Sequence, residues 1–256
     1  MEELPVEVIN GAASGRVVLL CEHASNHIPD KYRGLGLSPE DRESHAAWDP
    51  GARELTCLLS QELDAVAVMS RVSRLVYDCN RPPEAPSAIP KKSELIEVPG
   101  NICLSDELRA ARVNEVYAPF CGEVDKVLNA RGSDTVIVTI HSFTPVFFGK
   151  PRAVEIGLLH DDDTRLVDAM LEQANLVPDR RIERNEPYGP QDGVTHSLKL
   201  HALTRGMANV MIEVRNDLMR NREGVVKVAE EVLSLLLPAM KKIVHMEKKH
   251  EQNDNI

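Results

Sequence analysis

No window of this chain approaches the roughly 20 consecutive apolar residues of a membrane-spanning helix, and no block of lysine and arginine occurs in it. With 30 Lys+Arg against 40 Asp+Glu the formal net charge is −10. A chain of that sign without a basic cluster has nothing to grip a phosphate backbone or an anionic bilayer, so nucleic acid and membrane are both set aside as partners. The start, MEELPVEVIN, lacks the basic region and apolar run of a secretory signal, and the expected address is the cytoplasm. Cysteine is scarce: Cys21, Cys57, Cys79, Cys103 and Cys121 are odd in number and never spaced as C-x-x-C. That excludes a disulfide framework and a thiolate zinc knuckle as readings of the pattern, and leaves small buried hydrophobes. There is no internal repeat and no G-x-S-x-G nucleophile elbow.

What is present reads as an ordinary globular chain. Hydrophobic residues make up 43% and charged residues 27% of 256 positions, and that length suits one large domain, 1–256. Short β-branched runs alternate with longer amphipathic ones. Strands are expected at 16–21, 65–70, 74–79, 134–140, 154–159 and 207–214, the run 16–21 being central. Helices are expected from Ser38-Pro39-Glu40, over 51–63 after Asp49-Pro50, over 105–131 with a bend at Pro119, and over 163–175. Further helices are expected over 195–205, stopped by Gly206, and over 223–250, with a frayed tail at 251–256. Two long loops interrupt this order, at 80–101 with five prolines and at 176–192; loops of that length are usually functional. The alternation predicts an α/β fold with three layers, α/β/α, around a mostly parallel central sheet, with sites at the carboxyl ends of strands.

Polar residues sit at four of those expected ends: Glu22 and His23; Asn80 and Arg81; His141 and Ser142; Glu213, then Arg215 and Asn216. Buried ionisable groups are costly unless paired or metal-bound, so four such ends suggest a site. One histidine at a strand end is more often a structural residue. Two histidines with a carboxylate are the ligand set of a catalytic zinc. For the carboxylate, Asp49 is preferred to Glu22, because Glu22 and His23 are neighbours in extended chain and point apart; as third metal ligand His45 also stays open. Asp49 also reads as a plain helix N-cap ahead of Pro50. Arg81 suits a bidentate clamp on a carboxylate, with Asn80 as an amide donor. Glu213, in the apolar run Val210-Met-Ile-Glu-Val214, reads either as a general base or as an ion-pair partner of Arg215. Ser25, Ser142 and Cys21 each lie near a histidine and offer a weaker serine or cysteine hydrolase reading.

At these positions the sequence resembles the N-formylglutamate amidohydrolase family, whose wider relatives are the zinc carboxypeptidases, aspartoacylase and zinc-dependent muramoyl-alanine amidases. The matching stretches are Cys21-Glu-His-Ala-Ser-Asn-His-Ile-Pro29, Trp48-Asp-Pro-Gly51, Tyr77-Asp-Cys-Asn-Arg-Pro-Pro83, Ile140-His-Ser-Phe-Thr-Pro145, Asn185-Glu-Pro-Tyr188 with Asp192-Gly-Val-Thr-His196, and Ile212-Glu-Val-Arg-Asn-Asp217. The resemblance implies a zinc-exopeptidase-like fold and metal-dependent hydrolysis of a linear amide in a small anionic N-acyl amino acid such as N-formylglutamate. It implies one Zn2+ per chain on His23, Asp49 and His141. Glu213, Arg81 and His196 would be catalytic, and Asn80, Arg81, Asn185, Tyr188 and Arg215 substrate contacts. The stretch Ser44-His-Ala-Ala-Trp-Asp49 departs from the family's pattern and points to a sister branch. The alternative is an inactive member that binds a small carboxylate.

Overall fold

The computed structural model describes residues 4–253. In chain order the elements are β1 (Val6–Ile9), β2 (Val17–Cys21), α1 (Pro39–Glu43), α2 (Ala52–Glu62), β3 (Val66–Ser70), a small hairpin of β4 (Lys92–Ser93) and β5 (Ile96–Glu97), α3 (Asp106–Arg112), α4 (Ala118–Asn129) and β6 (Val136–Phe143). There follow a second hairpin, β7 (Val146–Phe147) and β8 (Lys150–Pro151), then β9 (Ile156–Leu159), α5 (Arg165–Leu171), β10 (Ile182–Arg184), β11 (Asn209–Arg215) and α6 (Arg222–Asn253). Seven strands form one sheet in the order β1-β3-β2-β6-β11-β9-β10. Strands β3, β2, β6 and β11 run parallel; β1 is antiparallel to β3, and β9 to β11.

Alternate residues of the central strands face opposite layers, as period-two geometry requires. Val17, Leu19, Val138, Ile140, Val210 and Ile212 pack against α2, α5 and α6. Val18, Leu20, Val68 and Ile137 face Phe120, Val124 and Leu128 of α4. The α/β expectation, with helices on both faces of a mostly parallel sheet, is met.

Several local expectations are corrected. Residues 74–79 form no strand: Val76 and Arg81 close turns onto Ser73 and Asp78, with N···O distances of 2.9 and 3.0 Å. Leu75, Val76, Tyr77 and Cys79 are buried without alternation in the α4-side core, which is why an apolar run here mimics a strand. β10 falls inside the loop expected over 176–192, and β1 lies in the acidic start, where no strand is expected. The expected helix over 105–131 widens to π spacing over Val113–Tyr117, just before Pro119, which has no N–H to donate into the preceding turn. The expected helix over 195–205 likewise ends in a π turn at Leu198–Ala202 and a tight turn at Leu203–Arg205, stopped by Gly206 at φ 65°. Residues 251–253 continue α6, so the frayed tail expected over 251–256 is corrected there; 254–256 lie outside the described residues.

The proline-rich loop is tied down by buried polar groups. The Asn101 amide donates to the carbonyls of Leu75 and Pro90 at 2.8 and 2.7 Å and accepts from Arg112 at 2.6 Å. Arg112 donates in turn to the carbonyls of Val76 and Gly100. Asn101→Ala strands two carbonyls and takes one acceptor from the buried Arg112 guanidinium, and is expected to lower the unfolding free energy by about 3 kcal/mol. Urea titration checks this; a loss under about 0.5 kcal/mol would mean the loop does not depend on that amide.

Candidate metal and active site

Three strand ends and one helix start converge at the carboxyl ends of the parallel strands. His23 follows β2, His141 lies within the last turn of pleat of β6, and Glu213 stands opposite His141 in the β6–β11 register. Asp49 precedes α2, but it is not the cap the sequence suggested. Gly51 holds that position at φ 84°, where a side chain would strike Met219, and the Asp49 carboxylate is left to face the histidines.

The Nδ1 atoms of His23 and His141 approach to 3.1 Å, and Asp49 Oδ2 lies 3.2 Å from the first and 3.0 Å from the second. Four-coordinate zinc with bonds of about 2.0–2.1 Å spaces its ligand atoms by about 3.3 Å, so the triangle is near that size. The other ring nitrogens also face carboxylates. His23 Nε2 meets Asp78 Oδ1 at 2.7 Å, and His141 Nε2 lies 3.1 Å from Glu22 Oε2, at an angle too poor for a hydrogen bond. Carboxylates at both Nε2 positions suit N–H there, so that a metal taking the place of a proton would meet both Nδ1 atoms and a carboxylate oxygen at one point. A His–Asp–His set is a metal donor set. The residues therefore fit a zinc ion. Glu22 stands behind His141, and His45 is engaged with Glu94 at 2.7 Å, so of the three alternatives for the acidic or third ligand only Asp49 joins the cluster.

Two residues overlooked in the sequence organise this centre. Asp78 orients His23, and Arg74 bridges the two acids, reaching Asp49 Oδ1 at 3.3 Å and Asp78 Oδ2 at 2.9 Å. Their i,i+4 spacing with opposite charge was the available signal. Burial works against both carboxylates, yet the histidines and Arg74 hold Asp49 and Asp78 well below the usual carboxylate range. Burial also opposes charge on His141, but Glu22 and Asp49 raise it well above the ordinary imidazole value.

Glu213 differs from the other acids. Burial pushes it up to about 7, helped by Asp49 and opposed by His141, His23 and Arg74, and its Oε2 has no hydrogen-bond partner among the described residues. It does not pair with Arg215, which binds Asp217 at 2.7 Å and reaches Glu155 at 3.4 Å. Gly157 of β9 lies across from Glu213, and a Cβ there would come within 1.9 Å of the Glu186 carbonyl. That close approach lays the 185–188 segment over the sheet and brings Tyr188 beside the site.

The remaining expected residues divide. Arg81, half-buried, donates to the Asn80 carbonyl at 2.8 Å and its charge is felt by Asp78. Rather than following a strand, Asn80 and Arg81 leave a turn. The Asn80 amide donates to Val194 O at 2.6 Å and accepts from Ser197 N at 3.0 Å, so it fastens the loop that carries His196. His196 stacks on Tyr117 and meets its hydroxyl at 2.8 Å; burial lowers its pKa. Asn185 accepts from the His160 amide at 2.9 Å. Tyr188 Oη accepts from Arg152 at 2.8 Å. The rival nucleophiles are poorly set: Cys21 is buried with its thiol pushed far up, Ser142 donates to Pro50 O, and Ser25 accepts from His27 N.

Among the described residues no helix is long and apolar enough to cross a membrane. No curated protein matches the sequence. A solved structure of a gene product from Agrobacterium tumefaciens is 51% identical, with 94% of this chain and 97% of that one covered at a TM-score of 0.92. The N-formylglutamate amidohydrolase of Ralstonia eutropha JMP134 is 15% identical, with 96% and 100% covered at a TM-score of 0.71, and shares the fold. The N-formylglutamate amidohydrolase family model matches residues 15–220, a span that contains every residue placed in the site above. A sequence matched over that span belongs to the N-formylglutamate amidohydrolase family.

Proposed function

We propose that the chain is a zinc-dependent amidohydrolase that cleaves the linear amide of a small anionic N-acyl amino acid such as N-formylglutamate. The observation that carries this reading is the convergence of His23 Nδ1, His141 Nδ1 and Asp49 Oδ2 beside an unpartnered, uncharged-leaning Glu213. His23, Asp49 and His141 would hold one Zn2+ per chain. When bound, zinc supplies Lewis acidity, polarising a carbonyl and lowering the pKa of a water molecule toward about 7. Glu213 takes a proton from water as its oxygen adds to the amide carbon, and returns it to the leaving amine nitrogen. Arg81 and His196 donate to the amide oxygen as it gains charge. Tyr188 borders the substrate. Asn80, Asn185 and Arg215 support the loops around it, since their polar atoms are already engaged. The seven strands share one sheet, which supports a single amidohydrolase domain over 1–256.

Chelation tests the reading. Protein stripped with a strong chelator is expected to lose hydrolysis of N-formyl and N-acyl amino acids and to regain it with one equivalent of zinc. Turnover that persists in metal-free protein would overturn zinc dependence. Carboxylate binding without turnover in zinc-replete protein would favour an inactive binding member.

A further inference from the structure

Four arginines surround the site, and their partners differ. Arg74 is bound to Asp49 and Asp78, and Arg215 to Asp217 and Glu155. Arg81 lies against its own loop. Arg152 is held by aromatic rings. Its guanidinium carbon lies 4.3 Å from the centroid of Phe147, 4.8 Å from Tyr188 and 5.5 Å from Phe143. Nη2 donates to Tyr188 Oη at 2.8 Å and Nη1 reaches Thr144 O at 3.4 Å. Among the described residues no carboxylate oxygen comes within 4.0 Å of it. A guanidinium has five N–H donors, so three remain.

Arg152 also has the right address. It leaves the β7–β8 hairpin, which joins β6, the strand of His141, to β9, the strand of Gly157. Phe143 is two residues beyond His141 and shares its face of the sheet. Tyr188 completes the link: burial raises its hydroxyl, Glu213 adds to that and Arg152 opposes it, so one hydroxyl senses both. Glu94 feels Arg152 too, but its oxygens accept from His45 at 2.7 Å and from Phe148 N at 3.2 Å. Ring faces attract a cation through their quadrupole without neutralising it, and they fix the plane of the fork. A half-buried, oriented fork that no carboxylate among the described residues binds directly, on a chain of net charge −10, is suited to an anionic ligand.

We propose that Arg152 is a specificity-determining clamp for a carboxylate of the amino-acid part of the substrate, seated on the Phe143–Phe147–Tyr188 cradle and separate from Arg81. The substrate named in this inference rests on the amidohydrolase reading; the anion site itself does not.

Calorimetric titration of zinc-loaded protein with L-glutamate tests it, on wild type, Arg152→Met and Arg152→Lys, with zinc content measured on the same samples. Met keeps an apolar stem among the rings, and Lys keeps charge without the fork. Wild type is expected to bind, Arg152→Met to bind about 10- to 100-fold more weakly, and Arg152→Lys to fall between, all at equal zinc content. Binding by Arg152→Met or Arg152→Lys that equals wild type, or no binding by wild type, would overturn the clamp. Turnover of N-formylglutamate separates the two readings. Hydrolysis with an unchanged KM in Arg152→Met would sink the clamp and leave the amidohydrolase. Arg152-dependent binding without any hydrolysis would sink the amidohydrolase and leave the clamp.

Discussion

Glu213→Gln should lower turnover of an N-acyl amino acid by about 10²–10⁴-fold while leaving zinc content at one per chain. Glutamine matches glutamate in size and can still fill the space beside His141 and Gly157, but it cannot take or return a proton. The carboxyl sits where such a role needs it, opposite His141 in the sheet and with an oxygen that has no partner among the described residues. Burial has pushed it up to about 7, near the value at which a group both accepts and releases a proton at neutral pH. Asp49 and Asp78, held well below the usual range, are poor candidates for that traffic. Steady-state kinetics with metal analysis decides the matter. Gln at 213 with more than about a tenth of wild-type kcat would remove Glu213 from the chemistry.

Asp49→Asn separates metal binding from proton transfer. A structural zinc site is worth about 10–16 kcal/mol over four ligands, so one ligand corresponds to about 10²–10³-fold in affinity. Asn is expected to weaken zinc binding by that factor, measured by competition with a chromophoric chelator. Turnover at one equivalent of zinc should fall with it and return in part with excess metal, whereas added zinc should do nothing for Glu213→Gln. The substitution also takes one of two acids from Arg74 and leaves the bond to Asp78 at 2.9 Å. If the Asn variant bound zinc as tightly as wild type, Asp49 would be a partner of Arg74 and the histidines and no ligand.

How much of this was legible depends on which interactions are local. The runs that became β2, β6 and β11 were readable because each is continuously apolar and then breaks at a polar residue, so the chemistry marks the strand end. His23, His141 and Glu213 stood out for that reason, and Asp49 as the carboxylate to complete a two-histidine ligand set. The run over 74–79 obeyed the same rule yet forms turns, because burial alone does not distinguish a strand from a loop packed under α4. Partners distant in sequence were invisible. Asn80 looks like a free amide until Val194 and Ser197 are beside it, 114 and 117 residues away. Arg215 and Arg152 look alike as letters, and only the three-dimensional arrangement gives one two carboxylates and the other three rings.

The strand order carries a consequence for synthesis. β11 is the last strand made, yet it lies inside the sheet between β6 and β9. Until residue 215 has left the ribosome, β6 presents its Val136-Ile-Val-Thr-Ile140 stretch as an open edge, and β9 has no strand to bridge it to the rest. Such an edge invites pairing with other chains, so a chaperone that shields emerging strands should raise the yield of folded protein. The proposed metal donors at 23, 49 and 141 are all synthesised before that closure, and Glu213 arrives with it. A nascent or truncated chain can thus carry every ligand of the proposed metal site without Glu213, so on the proposed mechanism hydrolysis begins only when the sheet is sealed.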